Sequence, residues 1–581
     1  MEHYEPNGFA LEIFKKRYAL HENETWNQAC SRVATYIAMG EKNDLILAYR
    51  DKFYNLLVDN EFMPAGRIWY GSGRSKGQLL NCFVVPTEDS REGWGDTVRN
   101  MIIICGTGGG LGVNCSPVRP RGSSINGSGG TATGATSLME IINAAGEVIK
   151  AGGGRRTALM MCLDLNHGDI QEFLDKKLNL DKLNNSNISV VFNENPEMFF
   201  DKVRRNEEFE LKFRSKVIGR VPARTLWKKI ISNALKTGEP GVLNGYLANK
   251  MSNIWYYKPL IGTNPCGEVW LTGFDCCCLG AIVLPRFIVN GKVNWQKLKD
   301  VVAISVRFLD DVLTVNNYPL PDIAETCKNI RRIGLGVTGL HDMLLMLGMK
   351  YNSDDSLEFV NKLMDVIKCA AYEASVGLAI EKGSFPKFEA ENFLKSGFCK
   401  TLKPSIRTLI KENGIRNCAL LTIAPTGTTS MVCDVTSGIE PMFAPAYQRK
   451  YRSGEELKTE IVIHPLLMSF IKNGKDVSHF QGTYDLSLRD HFEMQRICQK
   501  HIDNACSKTI NVAPNISEDE ISELYMEFFP ELKGVTIYAD GSREDQPLTP
   551  IDIDTAFALS REEMLVETFA NTTCKDGKCD L

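Results

Sequence analysis

Apolar positions fall at helical spacing near the start of the chain. Ala10, Leu11, Ile13, Phe14 and Tyr18 share one face, and Arg32 to Met39 continue the type. The spacing predicts a helical N-terminal region over 8 to about 60. From about 65 to 135 the pattern changes. Short apolar runs at Cys82–Val85, Met101–Cys105 and Gly112–Val118 alternate with glycine-rich turns, which predicts strands and helices joined by tight loops. An amphipathic helix is predicted over 136–150, stopping at Gly152-Gly153-Gly154-Arg155-Arg156. Helices and short strands then alternate to about 545. The last 36 residues are polar and carry Cys574 and Cys579; such an end is usually mobile. The pattern contains no internal repeat, coiled coil or low-complexity tract.

Composition narrows the function classes. At 581 residues the chain can build one large or two to four ordinary domains. A hydrophobic fraction of 43% with 24% charged residues is that of a soluble globular protein. The net charge of -4 gives no electrostatic case for nucleic-acid binding. Met1-Glu2-His3-Tyr4-Glu5 lacks the basic and apolar regions of a signal peptide, and no apolar run reaches about 18 residues. A cytoplasmic protein with no membrane span is expected. Eighteen cysteines in such a chain point to a reducing compartment, where pairs are catalytic, redox-active or metal-binding rather than structural.

Asn264-Pro265-Cys266-Gly267-Glu268 concentrates the chemistry. In an extended segment residues i, i+2 and i+4 line one face, so Asn264, Cys266 and Glu268 are predicted to point into one space. That joins an amide, a one-electron or nucleophilic sulfur and a carboxylate able to move protons. Other cysteines stand out around it: Cys82, the run Cys276-Cys277-Cys278, and the pair Cys574 and Cys579. A reductase fed with electrons from outside needs one working thiol, a buried dithiol and a mobile dithiol to re-reduce it. Adjacent cysteines have the wrong spacing for the usual zinc-ligand loops, so no metal site is expected. The remaining lone cysteines, among them Cys105, Cys327 and Cys418, read as small buried hydrophobes.

Ala424-Pro425-Thr426-Gly427-Thr428-Thr429-Ser430 follows an apolar strand predicted at 420–424 and precedes a helix. Backbone N–H groups and hydroxyls at such a helix start suit a phosphate, although an ordinary capped turn would look the same. Gly106 to Gly112 is too loosely spaced for a dinucleotide fingerprint. The Gly152–Arg156 loop could meet phosphate or a base through its arginines, or be a solvated loop.

With these motifs the chain resembles the large catalytic subunit of ribonucleotide reductase, most closely the adenosylcobalamin-dependent class II enzymes. The resemblance also rests on Phe62-Met63-Pro64-Ala65-Gly66-Arg67, Asn81-Cys82-Phe83, Val118-Arg119-Pro120-Arg121-Gly122, Ser437-Gly438-Ile439-Glu440-Pro441 and Lys533-Gly534-Val535-Thr536-Ile537-Tyr538. It implies an α/β fold: a ten-stranded barrel of two five-stranded halves over 71–545, with an internal finger loop, a helical region over 1–70 and a tail over 546–581. It implies that Cys266 carries a thiyl radical and takes the 3′-hydrogen of the ribose. Glu268 takes the 3′-hydroxyl proton, and Asn264 bonds the ribose hydroxyls. Cys82 and Cys277 supply two electrons and a proton and end as a disulfide. Cys574 and Cys579 re-reduce that disulfide and are reduced by a thioredoxin-like partner. Asn81, Pro265, Gly267 and Pro425, Thr426, Gly427, Thr428, Thr429 are the implied substrate contacts.

The resemblance further implies a deoxynucleoside triphosphate effector near Asp89 and Arg119. A loop carrying Gly153, Arg155 and Arg156 would link it to the substrate. A homodimer is expected, without the N-terminal ATP cone of many relatives. The substrate is a ribonucleoside diphosphate, or alternatively a triphosphate. Class I relatives carry adjacent tyrosines late in the chain; here Tyr447, Tyr451, Tyr484, Tyr525 and Tyr538 are isolated. Tyr256-Tyr257 lies too early and reads as an aromatic-packed strand. The alternatives are a class I large subunit needing a radical-generating partner, and a catalytically silent nucleotide-binding homologue.

Overall fold

The computed structural model describes residues 3–125, 129–149, 157–178, 183, 185–453, 456–512, 516–539 and 548–556. The N-terminal region is helical as the spacing predicts, with helices Gly8–Arg17, Trp26–Ala38 and Ile46–Val58. The second begins with a capping box: Thr25 Oγ1 accepts from Gln28 N–H and Gln28 Oε1 accepts from Thr25 N–H. Its buried face, Ala29, Cys30, Val33, Ala34 and Ile37, packs on the third helix. Aromatic pairs join this region to the rest: the Trp26 and Trp69 rings lie 4.9 Å apart, and those of Phe53 and Phe308 5.1 Å. Arg32 adds a polar tie, donating to the carbonyls of Trp69 at 2.9 Å and Ser72 at 2.7 Å.

Ten strand segments close a barrel. Cys82–Val85, Gly110–Asn114, Leu159–Asp164, Ser186–Val191 and Gly241–Leu243 run parallel and make one half. In the other half Asp275–Val283 lies parallel to Ile333–Thr338, and Thr509–Val512 to Gly534–Ala539. Between these pairs the predicted 420–424 strand is reduced to two parallel bridges, Leu335 to Leu421 and Ile423 to Cys506. The halves meet antiparallel at two seams, Asp275–Val283 on Cys82–Val85 and Gly534–Ala539 on Gly241–Leu243. Long stretches of these strands are buried without alternation, as for parallel strands covered on both faces.

A short hairpin, Gly262–Thr263 paired with Trp270–Leu271, runs inside the barrel. Its Val269 and Leu271 pack with Cys82, Val84, Cys277 and Leu279 across one seam, and Trp270 packs with Met160, Cys162, Val191 and Leu243. Gly112 makes room for it. A Cβ there would stand 1.7 Å from the Thr263 carbonyl oxygen, so any side chain would force the hairpin out. Tyr256-Tyr257 lies in a turn rather than the expected strand, closed by Tyr257 N–H on the Ile254 carbonyl at 2.9 Å.

Candidate active site

The hairpin tip carries the Asn264–Glu268 motif. The expectation of an extended segment is wrong here: the five residues form a turn, closed by Gly267 N–H on the Asn264 carbonyl at 3.0 Å. Pro265 fixes φ at the turn's second residue, and Gly267 takes φ +79°, which glycine adopts without strain. The convergence survives by a different route. The turn folds Glu268 back beside Asn264, while Cys266 is left exposed at the tip.

Asn264 and Glu268 both reach Cys82. Asn264 Nδ2 donates to Cys82 Sγ at 3.2 Å, and its Oδ1 accepts from Val269 N–H at 3.0 Å. Cys82 Sγ lies 3.9 Å from Glu268 Oε1. Cys82 and Cys277 are direct partners in the antiparallel register of the seam. Directly opposed residues bring their Cβ atoms to about 4.5–5.5 Å, close to what a disulfide spans. The alternation of the strand places only the middle cysteine of three beside Cys82: Cys277 joins the Cys82 cluster inside, whereas Cys276 and Cys278 join the outer core.

Burial pushes the Cys82 thiol well up, and the Glu268 carboxylate adds to this. Burial also pushes Cys277 up, but Arg332 pulls it partly back. Arg332 is held by Asp275 at 2.9 Å. Cys82 thus faces an acid and Cys277 a cation. The Cys266 thiol is likewise raised by its surroundings inside the barrel, and further by Glu268.

Glu268 is 2% exposed, and burial raises its carboxyl to about 7. Its Oε2 has no hydrogen-bond partner among the described residues. Its backbone is fixed: the Glu268 carbonyl accepts from Thr422 Oγ1 at 2.6 Å and from Ala505 N–H at 3.0 Å. Lys533, 2% exposed, braces that neighbour by donating to the carbonyls of Asp503 at 2.5 Å and Asn504 at 2.6 Å.

A cleft of about 660 Å³ opens on this group. Cys266, Cys82, Asn264, Pro265, Glu268 and Asn81 line it on one side, and Pro425 to Thr429 on the other. Asn81 Oδ1 is buried and has no hydrogen-bond partner among the described residues. The helix Gly427–Cys433 begins at the cleft. Its first turn is closed by Ser430 N–H on the Thr426 carbonyl at 2.8 Å, leaving the N–H groups of Gly427, Thr428 and Thr429 at the open start. Thr426 Oγ1 is spent on Gly438 N–H at 2.8 Å and on Thr338, so it holds the loop's shape.

The geometry has clear counterparts. The ribonucleotide reductase barrel-domain model matches residues 80–538, and the ribonucleotide reductase all-alpha-domain model matches residues 4–77. This chain belongs to the ribonucleotide reductase family. The vitamin B12-dependent ribonucleoside-diphosphate reductase of Mycobacterium tuberculosis is 32% identical over 575 residues, 93% of this chain and 80% of that protein. The enzyme of the same name from Thermoplasma acidophilum is 32% identical over 572 residues, 92% of this chain and 72% of its own. A variola virus ribonucleoside-diphosphate reductase large subunit is 27% identical over 492 residues, 77% of this chain and 63% of its own.

Other expected sites of this reductase fall elsewhere. Asp89 and Arg119 meet directly: the Asp89 carboxylate accepts from Arg119 N–H and Nε, each at 3.0 Å, and from Arg214 at 3.1 Å. They lie apart from the thiols; Asp89 borders a larger hollow, of about 1400 Å³, that includes neither Cys266 nor Glu268. Gly153, Arg155, Arg156, Cys574 and Cys579 lie outside the described residues. Sequence reasoning missed Arg17, Tyr18, Cys105, Gly108–Gly110, Thr157 and Ala158, which also line the cleft. It also missed Arg332 behind Cys277. No local spacing marks these residues; only the closed barrel brings them together.

Proposed function

We propose that the chain reduces ribonucleoside diphosphates to 2′-deoxyribonucleotides by a thiyl-radical reaction, with vitamin B12 coenzyme, adenosylcobalamin, as the cofactor. One observation carries the reading: a cleft-facing cysteine stands on a tip whose amide and carboxylate both reach a second, paired dithiol. The printed names of the Mycobacterium and Thermoplasma relatives support the cofactor and the diphosphate.

The chain's residues divide the work as follows. Cys266, as a thiyl radical, takes the 3′-hydrogen atom of the ribose. Glu268 accepts the 3′-hydroxyl proton, for which its carboxyl near 7 is suited at neutral pH. Asn264 and Asn81 orient the ribose. The 2′-hydroxyl leaves as water with a proton from the Cys82 side. Cys82 and Cys277 give up two electrons and two protons in all and become a disulfide: one proton leaves in the water, the other goes with the electrons into the new C2′–H bond, and Glu268 returns its proton to the 3′-oxygen. Cys266 then returns the hydrogen to C3′. Of the pair only Cys82 lines the cleft, so Cys82 is the one placed to give the proton to the 2′-hydroxyl. Gly427, Thr428 and Thr429 offer N–H groups to the phosphates.

The cofactor's chemistry is to supply the radical equivalent that Cys266 uses. Small residues line the cleft together with Cys266. The wall at Gly108–Gly110, Thr157 and Ala158 holds nothing larger than threonine. Those residues would hold it.

Further readings rest on the same family pattern. Asp89 and Arg119 bind the effector, with the Gly153–Arg156 loop linking it to the substrate. Ile102, Ile141 and Val148 are exposed on two packed helices, Arg91–Gly106 and Ala135–Val148, which supports a homodimer through that face. Cys574 and Cys579 pass electrons from a thioredoxin-like protein. Among the described residues no helix is long and apolar enough to cross a membrane.

The test is reduction of ribonucleoside diphosphates and triphosphates by the purified chain, with dithiothreitol and a deoxynucleotide effector, with and without adenosylcobalamin. Product from diphosphates only with cobalamin is expected. Product without it, or only with an added radical-generating subunit, would overturn the cofactor assignment. No product in any arm would leave a silent homologue.

A further inference from the structure

A diphosphate brings about three negative charges into a cleft that, among its described lining residues, contains one carboxylate, Glu268, and one cation, Arg17. Arg17 comes from the N-terminal region, at the end of helix Gly8–Arg17. Two neighbouring bases, Lys15 and Lys16, are exposed and serve the helix end; Arg17 is half-buried and is the one that lines the cleft. No described carboxylate pairs with it.

Its placement is set by the next residue. Tyr18 is fully buried, and its hydroxyl is hydrogen-bonded to Thr428 Oγ1, inside the phosphate loop. The Tyr4 hydroxyl donates to the Val432 carbonyl on the same short helix. The first helix therefore packs along the Gly427–Cys433 helix, and Arg17 lines the same cleft as Gly427, Thr428 and Thr429. Guanidinium forks match phosphate oxygens bidentately.

We infer that Arg17 is a substrate-binding residue that ion-pairs with the phosphates of the ribonucleotide, so that the N-terminal helical region completes the substrate site. The inference rests on the reading of Pro425–Thr429 as the phosphate cradle. It assigns the net attraction for the charged substrate to Arg17 and the local shape to the loop. Tyr18 is a positioning residue that fixes the loop against the helix.

The test is equilibrium binding of a ribonucleoside diphosphate, with the effector present and no cobalamin, to wild type, Arg17→Gln and Arg17→Lys. The unphosphorylated ribonucleoside is measured alongside as a competitor. Arg17→Gln is expected to weaken diphosphate binding by about 10- to 100-fold and to leave the ribonucleoside unchanged, with Arg17→Lys intermediate. Unchanged diphosphate affinity in Arg17→Gln overturns the inference. Equal loss for both ligands also overturns it, because Arg17 would then shape the cleft rather than meet phosphate. Wild-type binding without turnover in the cobalamin assay counts against the reduction reading alone and leaves the affinity comparison decisive for Arg17.

Discussion

Cys82 and Cys277 stand directly opposite each other across an antiparallel seam, yet only Cys82 reaches the cleft. The pair can therefore be oxidised by events at the substrate while its second sulfur stays shielded. One turnover of pre-reduced protein without external reductant should consume two thiols per deoxynucleotide formed. Peptide mapping should then find Cys82 linked to Cys277. A link between Cys276 or Cys278 and any other cysteine would show that the strand alternation has been misread.

Cys266→Ser should abolish reduction altogether, since a hydroxyl holds its hydrogen too strongly for the exchange. Nucleotide binding should stay within about twofold of wild type, because the serine keeps the turn and its size. Loss of binding measured by equilibrium dialysis would mean that the thiol holds the tip rather than the radical.

The Glu268 carboxyl, raised by burial to about 7 from an ordinary 4.5, gives two linked expectations. As a proton acceptor it must be ionised, so kcat/KM should rise through about pH 7, and Glu268→Gln should remove both that limb and most of the rate. For stability the sign is opposite. The folded state prefers the protonated form, so the advantage is complete below about 4.5 and lost as pH rises through about 7. Wild type should thus weaken relative to Glu268→Gln by about 3 kcal/mol between pH 4.5 and 8 in denaturant titrations. A pH-independent difference would place the proton elsewhere.

Gly112→Ala tests the route of the finger. The methyl would fall 1.7 Å from the Thr263 carbonyl oxygen, so the hairpin or its strand must shift. A loss of about 1–3 kcal/mol and a fall in activity of about 100-fold are expected, even though Gly112 touches no reacting group. Thermal unfolding and steady-state rates check the two parts separately.

The double variant Cys574→Ser, Cys579→Ser should still complete one turnover per site from reduced protein. It should fail to cycle with thioredoxin. Normal cycling with thioredoxin would remove the tail from the electron path.

Much of this site could be read from the chain because its chemistry is packed into short motifs. Cys266, Glu268 and Asn264 lie within five residues, and Pro425–Thr429 within another five. The extended conformation expected for the first motif failed because Pro265 and Gly267 favour a tight turn over a strand, a preference the alternation argument ignored. The helical start and the helix predicted at 136–150, found at Ala135–Val148, were legible from periodicity. The 420–424 strand was only partly so, because its pairing partners lie far away in sequence and supply just two bridges. Arg17 was illegible for another reason. In Lys15-Lys16-Arg17 nothing local tells a solvated cation from a cleft-lining one; the difference arises only when Tyr18 docks on Thr428.

The seam between Cys82 and Cys277 joins the two halves of the barrel, not neighbouring turns of one half. Each turnover would therefore rivet the halves together, and each re-reduction would free them again. The spent enzyme becomes the mechanically tougher one, with its large intervening loop closed covalently. Resistance to unfolding would then act as a gauge of how many molecules in a population are waiting for electrons.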